Sequence, residues 1–143
     1  HLKSIGIVPT PKKLPRSWND KDKMDNLKYW KSVDVDGTTL SEYDDNHAAH
    51  LISDFELSRM TNEQRENAFK EESEALCEYG YQNITGHESN FRVTSTRHNM
   101  RMQIMRMSDY HKILKTTDTK LQEKLIIDKL KEYQLKYENK PIL

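Results

Sequence analysis

Two groups of side chains in this chain have the types and spacing to do chemistry. Asp34 and Asp36 stand two apart, followed directly by Gly37, Thr38 and Thr39. His47 and His50 stand three apart, with Asp44, Asp45 and Asp54 nearby. On a helix, Asp44 and His47 would have the i, i+3 spacing of carboxylate–histidine metal sites in bundles, which need matching ligands from other helices. His111 and Glu72 are available for that role, but nothing in the sequence pairs them. Cys77 is the one cysteine and lies in an acidic stretch, which disfavours its thiolate. It excludes an internal disulfide and a multi-cysteine zinc site. There is no glycine-rich phosphate loop and no Gly-x-Ser-x-Gly nucleophile elbow.

Three short resemblances attach to these residues. Asp34-Val35-Asp36-Gly37-Thr38-Thr39 resembles the aspartate motif of the haloacid-dehalogenase phosphatases. That likeness implies a buried hydrophobic strand delivering the first aspartate as nucleophile. Here Lys31 and Ser32 interrupt the preceding residues, and no alternating strand–helix pattern follows. The same residues resemble part of an EF-hand loop. Aligning Gly37 with its turn position puts Ser32 first and Tyr43 last, where Asp and Glu are needed, which removes two ligands and argues against calcium binding. Asn90-Phe91-Arg92-Val93-Thr94, followed by His98, is similar over about nine residues to the end of the HNH motif of nuclease bacteriocins. The carried-over positions are Asn90 and His98. The upstream histidine pair is missing, so the metal and general-base roles stay unfilled.

The elements that must position these residues read as helices. Residues 1–18 hold Pro9, Pro11 and Pro15 and read as an extended arm, with Leu14 and Trp18 able to dock on a neighbour. Residues 19–31 form a short helix capped by Asn19, and residues 33–39 a turn around Gly37. Residues 41–59 predict a helix opened by Ser41 and Asp44, with Leu40, Tyr43, His47, Leu51 and Phe55 on one stripe. Thr61 and Gln64 cap a helix over 62–79, ended by Gly80. Residues 80–95 read as an irregular loop, since one short strand around Phe91 and Val93 has nothing to pair with. Met100, Ile104, Met107, His111 and Leu114 form a heptad-type seam that predicts one helix over 97–115. Residues 119–138, with a Thr119–Gln122 box, make the last helix of a hairpin. The expected fold is therefore all-α: about five helices in a small bundle, elongated or completed by a partner, with a proline-bearing arm over 1–18 and one domain over 19–143.

Charge is segregated along these elements. The net charge is zero, yet residues 1–33 carry eight Lys/Arg against three Asp/Glu, residues 34–78 three against thirteen, and residues 92–143 twelve against six. At 143 residues and 34% hydrophobic composition, the chain is one domain with a thin core. It begins with His1, as a fragment or processed form would. No apolar run reaches membrane-spanning length, and one cysteine fits a reducing compartment, the cytoplasm or nucleus.

These features point to a non-enzymatic, intracellular interaction or assembly subunit without a cofactor, catalytic residue or metal. Its protein partner, or a second copy, would meet Leu14, Trp18, Met100, Ile104, Met107 and Leu114. The alternative is nucleic-acid binding through Arg97, Arg101, Arg106, Lys112 and Lys115 on the basic helix. A metal-dependent enzyme using His47 and His50 is third.

Overall fold

Asn19 opens the first helix, α1 (Asp20–Tyr29), as its residue type predicts. Its Oδ1 accepts the Asp22 N–H at 2.9 Å, and the Asp22 carboxylate accepts the Asn19 N–H at 3.3 Å. In a computed structural model of the protein, residues 18–30, 32–79 and 90–143 are described. Leu14, most of the proline-bearing arm and the expected Gly80 cap lie outside the described residues, as does much of the expected loop over 80–95.

The all-α expectation is overturned. Six helices accompany a two-stranded antiparallel sheet among the described residues, 56% helix and 10% strand, so the fold is mixed α/β. The helix expected over 41–59 is absent. Ser41 and Asp44 make the contacts of a cap, with the Ser41 N–H donating to the Asp44 carboxylate at 2.6 Å. The cap leads only into a turn. The Asp45 carbonyl is taken by the Thr96 N–H at 3.1 Å, and the chain continues as strand β1 (Asn46–His50). Its partner is β2 (Phe91–Ser95), in a register running from Asn46 opposite Ser95 to His50 opposite Phe91. The strand judged partnerless around Phe91 and Val93 thus has a partner inside a segment whose apolar spacing also suits a helix. Long-range pairing overrode local preference. A short helix, α2 (Asp54–Leu57), capped by Ser53, follows.

Helix α3 (Asn62–Cys77) carries the predicted Thr61–Gln64 box. The single helix expected over 97–115 is broken into α4 (Thr96–Met102) and α5 (Met107–Leu114). Gln103 at the break has φ 49°, a left-handed conformation that ends a right-handed helix. The break abandons the heptad seam. Met102, Met105 and Met107 are buried, while Met100 is exposed. Helix α6 (Thr119–Tyr137) is capped by Asp118, which accepts the Leu121 N–H at 3.0 Å, not by the expected Thr119–Gln122 box.

The main core joins Phe69 and Leu76 of α3 with Met107 and Tyr110 of α5 and Ile126 and Tyr133 of α6. Ile104 and Leu114 pack half-buried against it. Trp18 packs on a smaller cluster of Leu27, Leu40 and Val93, its ring 5.4 Å from that of Phe91. The charge blocks meet inside the chain: α3 packs on α5 and α5 on α6, and Glu56 and Glu72 of the acidic block bond Arg106 and Ser108 of the basic one. Among the described residues, no helix is long and apolar enough to cross a membrane.

Candidate functional site

A loop over residues 32–40 carries the two aspartates. A bridge between Val33 and Thr39 closes it, Asp34 and Thr38 bond through their backbones at 2.8 Å, and Gly37 sits at φ 85°. An L side chain disfavours that backbone conformation, which is why glycine stands there. The loop lies against the C-terminal end of β2. The Asp34 carboxylate accepts the Val35 N–H at 2.7 Å and the Ser95 N–H at 3.2 Å. Asp34 is buried, and Arg92 of β2 is the cation that acts on it.

Ser95 also caps α4 through the His98 N–H, which turns the His98 side chain toward the loop. His98 Nε2 lies 2.9 Å from Asp36 Oδ2, and His98 Nδ1 lies 2.5 Å from the Tyr110 hydroxyl. An ionised carboxylate only accepts, so Nε2 carries the proton, and in the neutral ring Nδ1 accepts from Tyr110. Burial opposes the Asp36 charge, but hydrogen bonds from Thr38 and His98 outweigh it and hold the carboxyl at about 2. Burial pushes the Tyr110 hydroxyl up to about 12, against the pull of Arg101 and Arg97. The result is a fixed chain of carboxylate, imidazole and phenol. Asp34, Asp36 and His98 each bring one ligand atom within 4.8 Å of the others.

Asp36 and His98 open onto a cavity of about 310 Å³, whose wall includes Arg97, Arg101, His111 and Lys115. Arg101 donates to Gln122 Oε1 at 3.0 Å and to Glu123 Oε1 at 2.5 Å, which anchors it at the start of α6. The His111 ring stacks on Tyr79 at 4.8 Å. Burial, then Arg92, His98 and Lys115, push His111 down to about 4.

Of the nucleic-acid candidates, Arg97, Arg101 and Lys115 share this cavity and Lys112 is exposed nearby on α5. Arg106 is elsewhere, bonded to the buried Glu56. Of the interface candidates, Met107 is buried, Met100 exposed, and Ile104, Leu114 and Trp18 half-buried against this chain. His47 and His50 lie on a strand rather than a helix, so their three-residue spacing sends them to opposite faces. His47 meets Asn99, and His50 meets Asp54 and the Phe91 ring. Asn90 is structural. Its side chain accepts the Ile52 N–H at 2.9 Å and donates to the Ile52 carbonyl at 2.5 Å. The aspartate loop is not delivered by a buried strand of a parallel sheet among the described residues, in contrast to the phosphatase likeness.

What the sequence did not reveal is that Asp34, Asp36 and His98 meet. Their signals were present separately: a glycine directly after the second of two paired aspartates, and a serine three places before a histidine. Comparison with protein-family models, curated proteins and solved structures finds no match to this chain.

Proposed function

We propose that this protein binds nucleic acid, seating a backbone phosphate in the cavity between α4, α5 and the start of α6. The observation that carries this reading is the convergence of Arg97, Arg101 and Lys115 on one cavity beside two histidines. Among the described residues that line the cavity Asp36 is the one carboxylate, and it is turned to His98, while Arg101 is paired with Glu123 from outside the lining. About 310 Å³ is at the small end for a ligand pocket and suits one nucleotide's phosphate and part of its sugar. Lys112 extends the basic surface along α5.

The test is anisotropy of a labelled single-stranded oligonucleotide between 50 and 200 mM salt. Three or four phosphate contacts predict an affinity loss of about twenty- to fifty-fold over that range. Arg97→Glu and Lys115→Glu, both exposed, should weaken binding at every salt concentration, and Lys131→Glu on α6 should not. Salt-independent binding, or equal loss in all three variants, would overturn the reading.

A second reading, assembly with a protein partner or a second copy, is favoured by apolar side chains left in solvent: Met100 on α4 and Leu135 on α6 are 66% and 69% exposed. It predicts a non-monomeric species in sedimentation, and a monomer at all concentrations would remove it. The single cysteine suits either role in a reducing, intracellular compartment.

A further inference from the structure

We propose that Asp34, Asp36 and His98 form a site for one divalent first-row transition-metal cation. This inference goes beyond the nucleic-acid reading and does not rest on it. Three features of a metal site are met, and each has a different origin in the chain.

The donor set is mixed. Two carboxylate oxygens and one imidazole nitrogen suit Zn²⁺ or Mn²⁺, and leave coordination positions for water or a ligand. The three atoms lie within 4.8 Å of one another. Ligands about 2.1 Å from a shared ion sit roughly 3–4 Å apart, so small side-chain rotations close the set.

The donors are held from behind. Asp34 is fixed by the Val35 and Ser95 N–H groups, and Asp36 by the Thr38 N–H and hydroxyl. Each ionised carboxylate keeps further lone pairs after these bonds. His98 is buried, and its Nδ1 faces the Tyr110 hydroxyl. On metal binding, the single ring proton moves from Nε2 to Nδ1, Nε2 takes the cation, and the Tyr110 hydroxyl turns from donor to acceptor of the Nδ1–H bond. A hydrogen bond of that kind behind a ligating histidine orients the ring. Arg92 acts on Asp34 as a single positive charge, so it answers only part of the charge of the two carboxylates.

There is an entry path. Asp36 and His98 line the 310 Å³ cavity, so a cation and its remaining ligands can reach them from solvent. Where both proposals hold, a bound phosphate oxygen would take an open position on the ion.

The test is calorimetric titration of ZnCl₂ into the full chain carrying Cys77→Ser, so that the exposed thiol does not contribute. The expected result is one Zn²⁺ per chain. Asp36→Asn should weaken it at least about tenfold, as should His98→Asn. His50→Gln, which alters the other histidine–aspartate pair, should leave it unchanged. If His98→Asn does not fold, the nearly isosteric Asp36→Asn decides alone. Absence of stoichiometric binding, or unchanged affinity in Asp36→Asn, overturns the proposal. Repeating the oligonucleotide titration in EDTA separates the two readings, because phosphate contact by Arg97 and Lys115 does not require the ion.

Discussion

The buried carboxylate of Glu56 holds the guanidinium of Arg106 through two bonds, from Nε and from an outer nitrogen, each 3.2 Å. The Tyr137 hydroxyl donates to the same carboxylate at 2.6 Å. One charge pair therefore ties α2, the turn before α5 and the end of α6. Arg106 belongs to the basic block, yet its charge serves the fold. Removing one partner leaves a buried charge alone, so Arg106→Met should lower unfolding free energy by about 3–5 kcal/mol. Replacing both, with Glu56→Leu added, should recover much of that loss. Urea denaturation at pH 7 measures both.

Glu72 should make stability fall as pH rises. Burial pushes its carboxyl up to about 7 from an ordinary 4.5, although Ser108 donates to it twice and Arg106 lies near. Between those values the folded chain holds a proton that the unfolded chain has lost. The stabilisation is therefore full below about 4.5 and lost as pH climbs through 7. Glu72→Gln should flatten this slope, gaining on the wild type by on the order of 3 kcal/mol between pH 5 and pH 8. Denaturation curves of the two proteins at both pH values decide it.

His111 should act in the opposite sense. Its folded form titrates at about 4 against an ordinary 6.5, because burial and the neighbouring cations disfavour its charge. The neutral ring's contribution is full above about 6.5 and lost as pH falls through 4. The ring's NMR titration midpoint should lie near 4 in the free protein and rise when oligonucleotide is added. His111→Gln should remove the part of the acid limb that lies between about pH 6.5 and pH 4. A midpoint near 6.5 in the free protein would contradict the buried, cation-flanked setting.

Asn90 should matter for stability, and not for chemistry. Its amide satisfies both backbone groups of Ile52 in a buried position. Asn90→Ala leaves those groups unpaired and should cost about 2–4 kcal/mol. Zinc and oligonucleotide affinity, measured on the folded fraction, should stay within about twofold of wild type.

Gly37→Ala tests the loop that carries the aspartates. An added Cβ would meet no atom within 4 Å, so the cost is backbone strain alone. It should be about 1 kcal/mol by thermal melting.

Several elements were legible from neighbouring residues alone. Asn19 with Asp22 marked the start of α1, Thr61 with Gln64 the start of α3, and Gly37 the turn of the aspartate loop. In each case the donor and acceptor lie within about four residues, so the hydrogen bond is written in the local sequence. The heptad seam failed because spacing at Met100, Ile104 and Met107 says which residues share a helix face only while the helix continues. Gln103 turns left-handed, and the break lets Met102, Met105 and Met107 reach the core instead.

The sequence by itself determined the capped starts of α1 and α3, the aspartate turn and the segregated charge. Tertiary structure alone decided that residues 46–50 pair with 91–95, that Arg106 serves the core while Arg97, Arg101 and Lys115 share a cavity, and that Asp36 meets His98 across 62 positions. The reason is physical. A cap is closed by groups on the same turn of chain, whereas a strand or a ligand set is completed by partners that only the packed core brings together.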